Sequence, residues 1–156
     1  MDLREAKQLI ERCYRDVLPG RFASGPATVM LLSIGLQESR FEHRKQIGGP
    51  ARSFWQFERA GVRGVMQHKS SARYAAAVCA IRGVPFQERA IHEAMEFDDL
   101  LGCAFARLLL FTDAAALPSP GGFDATWDYY IRNWRPGKPH RKTWNALHQR
   151  AMEAMA

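Results

Sequence analysis

Residues 27–41, ATVMLLSIGLQESRF, place apolar side chains on nearly every face of a helix. Ser24 is a suitable N-cap for that helix, and Pro26 fits its first turn. A helix that is apolar all round must be covered by other elements, and it is shorter than the ~20 apolar residues that a membrane span requires. The segment therefore predicts a helix buried in the core of a packed domain.

The remainder of the chain is predominantly helical in pattern. Apolar residues recur at helical spacing through residues 2–18, and Pro19-Gly20 closes that segment. Further helices are predicted over residues 59–68, 71–82, 86–96, 98–112, 123–134 and 140–155. Breaks rich in proline and glycine separate several of them. These patterns predict an all-α fold that forms one domain over residues 1–156.

The segment 43–57 is the exception. It loses helical periodicity, contains Gly48-Gly49-Pro50 and then sets aromatic residues close together in SFWQF. Such a pattern is typical of an irregular loop or a short hairpin. We therefore expect one short non-helical segment in an otherwise helical protein.

Composition narrows the possible functions. The chain has 156 residues, of which 47% are hydrophobic and 24% charged, which is typical of a folded globular protein. Its three cysteines and five histidines lack the spacing of a metal site, and no glycine-rich phosphate loop follows a strand. We expect neither a metal nor a cofactor. The net charge of +6 favours a polyanionic partner: nucleic acid, acidic lipid or cell-wall polymer.

Glu38 is the candidate catalytic residue, because it ends the buried helix just before the irregular segment. Burial and the partial negative charge of a helix C-terminus both disfavour the ionised carboxylate, so both raise its pKa. A carboxylic acid that stays protonated near neutral pH can act as a general acid. The alternative is that Glu38 only reaches solvent at the helix end, paired with Arg40 or Arg44.

Two motifs carry a family resemblance. ESRF followed by ARSFWQF resembles the soluble lytic transglycosylases and their lysozyme-fold relatives, which have Glu-Ser and then Gly-Ala-x-Gly-Leu-Met-Gln. Glu38 and Gln56 are eighteen positions apart, as in that family, and Ser39 follows the acid. Pro50 and Ser53 occupy glycine slots, and Phe54-Trp55 replaces Leu-Met. The version with Gly48-Gly49-Pro50-Ala51-Arg52 and an aromatic pair before the glutamine resembles phage-encoded or prophage-encoded cell-wall lysins. Ser53 is expected to be strained if its φ is positive.

A third motif lies near the end of the chain. Residues 133–138, NWRPGK, are similar to the family's late Tyr-Asn-Ala-Gly-Pro-Gly-Arg segment, which places Asn133 on the asparagine. Arg132 stands in the tyrosine slot, so either Tyr129 or Tyr130 is the candidate for the missing phenol. The three motifs occur in the family's order, and they are more specific together than separately.

The resemblance implies a lysozyme-like fold and a peptidoglycan-cleaving glycosidase that acts on the MurNAc–GlcNAc β-1,4 bond. For a lytic transglycosylase it implies one catalytic glutamate, Glu38, which acts first as acid and then as base to form a 1,6-anhydro product. A hydrolytic lysozyme would need a second carboxylate, for which Glu58 is the candidate. The candidate substrate-binding residues are Ser39, Gln56, Glu58, Tyr129, Tyr130, Asn133 and Trp134.

The resemblance also sets expectations about partners and location. The partner would be the glycan strand, and we expect a monomer with no membrane anchor. The start of the chain lacks an apolar signal region, which predicts synthesis in the cytoplasm and delivery through a holin or within a phage particle.

Two other classes of function compete with an enzyme. The departures at Pro50, Ser53 and Arg132 would suit a virion structural protein that has lost activity. The positive charge would suit a helical nucleic-acid binder. Its binding surface would be Arg132, Arg135, Lys138, Arg141 and Lys142. We do not expect nucleic acid as the partner, because the same cluster would equally attract the carboxylates of peptidoglycan.

Overall fold

The computed structural model describes residues 1–156 and contains eight α-helices, one short 3-10 helix and no β-strand. The all-α prediction is confirmed. In chain order the helices are α1 (Leu3–Asp16), the 3-10 helix (Gly20–Phe22), α2 (Gly25–Ser39), α3 (Arg59–Gln67), α4 (Ala72–Arg82), α5 (Glu88–Ala94), α6 (Asp99–Thr112), α7 (Phe123–Trp134) and α8 (Arg141–Glu153). The 3-10 helix has no counterpart in the sequence prediction.

Side-chain caps explain where three of the helices begin. The Asp2 side chain accepts a hydrogen bond from the Glu5 amide, and the Glu5 side chain accepts one from the Asp2 amide, which forms a capping box for α1. Ser24 caps α2 by accepting from the Ala27 amide, as its position predicted. Asp98 caps α6 in the same way. Each cap satisfies an amide that has no partner inside its helix.

Helix α2 lies at the centre of the fold. Eleven of its fifteen residues are buried, and it packs against α1, α6 and α8. Helix α6 is similarly enclosed and contacts α1, α3 and α4. A single hydrophobic cluster contains residues from every helix. The predicted buried core helix is confirmed over Gly25–Ser39, whereas Arg40 and Phe41, the last two residues of the predicted segment, lie beyond its end.

The segment between α2 and α3 is irregular, as predicted. It contains two isolated backbone pairings, Lys45 with Arg52 and Arg52 with Phe57, and no strand. Reciprocal backbone hydrogen bonds of 2.9 and 2.7 Å join Arg52 and Phe57, so residues 52–57 form a tight turn. Ser53 has a φ of +71° in this turn, which is the strained conformation expected for a glycine slot.

A close approach to α6 holds the turn in place. A Cβ atom at Gly102 would lie 2.8 Å from the Ser53 Cβ, so only glycine in α6 lets the turn pack this closely. The Ser53 hydroxyl also accepts a hydrogen bond from the Trp55 amide at 3.0 Å. Both contacts stabilise a backbone conformation that serine seldom adopts.

The structure contains neither a cluster of potential metal ligands nor a helix that could span a membrane. Cys13, Cys79 and Cys103 are free and buried, and no group of potential ligands is arranged to hold a metal ion. None of the helices combines the length and the apolar content that crossing a membrane requires.

Candidate active site at the end of helix α2

Glu38 is the penultimate residue of α2 and is half-buried. The next residue, Ser39, is buried, and its hydroxyl lies 2.7 Å from the carbonyl oxygen of Phe54 in the turn. The Ser39 hydroxyl also accepts a hydrogen bond from the Phe41 amide at 3.2 Å. Ser39 therefore joins the end of α2 to the turn, and its hydroxyl is engaged by the backbone of both.

Two consecutive residues with positive φ end α2. Arg40 and Phe41 have φ values of +56° and +55°, which turn the chain sharply after Ser39. The Phe41 ring then folds back over α2 at Gly35, where a Cβ atom would lie 2.1 Å from the ring. The absent side chain at Gly35 thus allows the Phe41 ring to pack against α2 after the chain reverses.

Tyr130 on α7 contacts the Glu38 carboxyl group directly. Its hydroxyl donates a hydrogen bond to Glu38 Oε1 at 2.5 Å. Burial and the charge of Glu38 raise the pKa of Tyr130, so the phenol stays protonated and acts as a donor. The ring is stacked on Trp144 of α8, with centroids 5.0 Å apart and planes within 7° of parallel. The phenol is therefore held rigidly against the acid.

Three effects determine the protonation of Glu38. Burial raises its pKa most strongly, the hydrogen bond from Tyr130 opposes that rise, and the charge of Glu58 raises the pKa further. Together they bring the pKa of Glu38 to about 7. The direction agrees with the sequence prediction. Glu38 is consequently a mixture of acid and carboxylate at neutral pH, as a group that both donates and accepts protons requires.

Glu58 lies at the start of α3 and is exposed to solvent. It makes no capping hydrogen bond to its helix. Glu58 directly follows Phe57, at the end of the turn that Ser39 contacts through the Phe54 carbonyl. Its charge contributes to the raised pKa of Glu38.

Gln56 is half-buried in the turn, with a φ of +53°. Its side-chain amide nitrogen donates to the Ser53 carbonyl at 2.8 Å, and its amide oxygen accepts no hydrogen bond from the protein.

His92 of α5 contacts the same turn. It donates to the Phe57 carbonyl at 2.8 Å, and Arg52 donates to the other nitrogen of the His92 ring at 3.0 Å. Burial and the neighbouring Arg52 keep the pKa of His92 low.

The four candidates on α7 divide into two groups. Trp134 donates to the Trp55 carbonyl at 2.9 Å, so it joins Tyr130 on the side that faces α2 and the turn. Tyr129 points elsewhere: it is buried, and its hydroxyl donates to the Leu110 carbonyl at 2.9 Å. Asn133 donates to Asp113 at 2.8 Å and to the Tyr129 carbonyl. The structure brings neither Tyr129 nor Asn133 into contact with Glu38.

The sequence prediction missed the support beneath Tyr130. Trp144 is fully buried on α8, and His148 is stacked behind it with a centroid separation of 5.8 Å. The Gly121 amide donates to His148 Nε2 at 3.0 Å, so Nδ1 carries the proton and donates to Ser33 at 2.8 Å. The spacing of Trp144 and His148, one helical turn apart in α8, was the signal available in the sequence.

The basic cluster is partly neutralised. Arg132 pairs with Asp113 at 2.6 Å, and Arg141 pairs with Asp124 at 2.7 Å. Two concavities, of about 600 and 370 Å³, lie elsewhere on the molecule and do not include Glu38. The chemistry around Glu38 marks the candidate site, because concavity alone does not identify a reacting group.

Comparisons with protein-family models, with curated proteins and with solved structures gave no match. The function is therefore inferred from the site and from the motifs that position it.

Proposed function

We propose that the chain is a peptidoglycan-cleaving glycosidase of the lytic transglycosylase type, with a lysozyme-like fold and Glu38 as its catalytic acid and base. One observation supports this most: the pKa of Glu38 is raised to about 7 by burial, beside a phenol that donates to its carboxyl group. A surface glutamate with only a structural role does not need a pKa raised in this way.

The reaction requires one group that gives and then takes a proton. Glu38 would donate its proton to the glycosidic oxygen between MurNAc and GlcNAc, and the C1–O bond would break with oxocarbenium character at C1. The resulting carboxylate would then remove the proton from the C6 hydroxyl of MurNAc while that oxygen attacks C1. The product is a 1,6-anhydro sugar, no water is consumed, and Glu38 recovers its proton.

Tyr130 suits the second half of that cycle. Once Glu38 has lost its proton, the Tyr130 hydroxyl donates a charge-assisted hydrogen bond to the carboxylate. This bond stabilises the base without supplying a second carboxylate. Gln56 lies in the turn that Ser39 joins to α2, and Trp134 donates to the Trp55 carbonyl of the same turn. Both side chains are partly exposed and are the groups available to hold sugars.

A hydrolytic lysozyme is the second candidate, because Glu58 is near enough to raise the pKa of Glu38. In that reaction Glu58 would activate a water molecule, and the product would carry a reducing end. Its exposed position beside the acid is compatible with contact to water.

Mass spectrometry of digested peptidoglycan distinguishes the candidates. The wild-type chain should release muropeptides lighter by one water than hydrolytic products, and Glu38→Gln should release none. Glu58→Gln should still release anhydro products. Full-mass reducing sugars that disappear in Glu58→Gln would instead establish a hydrolase. Equal digestion by wild type and Glu38→Gln would exclude Glu38, and no digestion by any variant would favour an inactive scaffold.

Access to the wall is part of the proposal. The enzyme would reach peptidoglycan after holin-type release or as a component of a phage particle. Its net charge of +6 would attract the wall's carboxylates.

A further inference from the structure

Arg107 of α6 is a buried cation without a carboxylate partner. Only 7% of the residue is exposed. Its Nε donates to the Phe22 carbonyl at 2.8 Å, and the guanidinium lies 5.3 Å from the centre of the Phe22 ring. No ion pair of the structure includes Arg107. Nε is the only guanidinium nitrogen that donates within the protein, and the two terminal nitrogens are not fully buried, so they are accessible from outside.

Such an arrangement is unusual for a charged side chain. A buried charge is normally paired, because removal from water without a partner costs several kcal/mol per ion. Burial lowers the pKa of Arg107. A guanidinium nevertheless stays cationic at physiological pH, so the charge is permanent.

Arg107 lines a groove of about 370 Å³ between the end of α6 and the α6–α7 loop. Seven of its nine lining residues are hydrophobic, and they include Leu110, Phe111 and Leu117. The volume is within the range of small-molecule sites, which typically combine apolar walls with a few polar groups. Here the unpartnered guanidinium is the only cationic group in the lining.

The single acidic residue in the lining is already occupied. Asp113 accepts from Arg132 at 2.6 Å and from Asn133 at 2.8 Å, and it also caps the Ala115 amide. Its charge is thereby compensated by Arg132, outside the groove. The groove consequently presents one uncompensated positive charge within apolar walls.

We propose that this groove binds a small organic carboxylate with a short apolar tail, whose head group contacts Arg107 and whose tail packs against Leu110 and Leu117. Carboxylate geometry matches the two free nitrogens of a guanidinium fork. The site is independent of the proposed glycosidase activity. Tyr129 borders the groove and Tyr130 contacts Glu38, so different faces of α7 serve the two sites.

Titration of the full chain with acetate, butyrate and hexanoate at constant ionic strength tests this proposal. Calorimetry should give a saturable hexanoate site, with Kd falling by about twofold to fourfold for each added methylene. Hexanamide, which has the same tail without the charge, should bind at least about tenfold more weakly. The Nε–H resonance of Arg107 should shift on hexanoate binding and not with hexanamide.

Two variants separate the head from the tail. Arg107→Met should weaken hexanoate binding at least about tenfold, because a charge-assisted hydrogen bond is lost. Leu117→Trp should keep acetate binding and abolish the gain with tail length. Hexanoate that binds no more tightly than acetate or chloride would overturn the proposal, as would unchanged binding by Arg107→Met. If Arg107→Met does not fold, the wild-type Arg107 resonance and Leu117→Trp still decide the outcome.

Discussion

Replacing Tyr130 with phenylalanine should raise the pKa of Glu38 above its value of about 7. The substitution removes only the hydroxyl, which donates to Glu38 Oε1 at 2.5 Å. The ring itself is stacked on Trp144 and remains in place. Burial of Glu38 is therefore nearly unchanged, and the hydrogen bond that favours its ionised form is lost.

The size of the change follows from that one bond. A hydrogen bond to a charged group contributes about 1.5–3 kcal/mol, and a shift of one pKa unit corresponds to about 1.4 kcal/mol. Loss of the Tyr130 bond should therefore raise the pKa of Glu38 by about one to two units. The carboxylic acid would then persist into mildly alkaline solution.

Carbon-13 NMR of chain labelled at the glutamate carboxyl groups measures this pKa without any substrate. If the chain cleaves peptidoglycan, the alkaline limb of its pH–activity profile should move upward by the same amount, because the protonated acid is needed to donate. A Glu38 pKa that stays the same or falls in Tyr130→Phe would refute the assignment of the bond as one to the carboxylate.

Tyr129→Phe is the matched control. It removes the neighbouring hydroxyl from the same helix, but that hydroxyl donates to the Leu110 and Ala115 carbonyls. The free energy of unfolding should fall by about 0.5–1.5 kcal/mol, as for a lost hydrogen bond between neutral groups. The pKa of Glu38 should not change. An equal shift in both variants would point to a general loosening of α7.

Three further predictions concern charge, packing and pH. Glu58→Gln should lower the pKa of Glu38 in the same NMR titration, since it removes a repelling charge; a rise would contradict the proximity of the two carboxylates. Gly35→Ala should destabilise the fold by about 1–3 kcal/mol in urea unfolding, because the new methyl group meets the Phe41 ring; unchanged stability would contradict that packing. Burial lowers the pKa of His148 from its ordinary value of 6.5, so its contribution to stability is complete above that pH and is lost as the pH falls below it. His148→Gln should reduce the loss of stability between pH 7 and pH 5, and an unchanged slope would remove His148 as its source.

Local rules explain why the helices could be predicted. The apolar pattern of α2, its Ser24 cap and the proline-glycine breaks act within a few residues of where they are read. The strain at Ser53 could be anticipated from the glycine slot, and its φ of +71° agrees. The Gly102 contact that accommodates it could not, because it joins residues 49 positions apart.

The candidate site was less predictable, because neighbours in sequence face different ways on a helix. Tyr129 and Tyr130 were equivalent choices for the phenol, yet adjacent residues on α7 point about 100° apart. Packing against α6 directs Tyr129 toward Leu110, whereas stacking on Trp144 directs Tyr130 toward Glu38. The positions of α6 and α8 together distinguish the two tyrosines, and no local pattern encodes those positions.

The buried helix α2 contains Glu38 and also Ser33, which lies at the other end of a column of side chains that leads to Tyr130. Ser33 accepts from His148, His148 is stacked on Trp144, and Trp144 is stacked on Tyr130, which returns to the same helix by donating to Glu38. Five residues of α-helix rise about 7.5 Å, so the two ends of this column lie little more than one turn apart. Ser33 and His148 at the other end are fully buried. A change in how α8 packs on α2 would alter the direction of the Tyr130 hydroxyl, and with it the protonation of the acid.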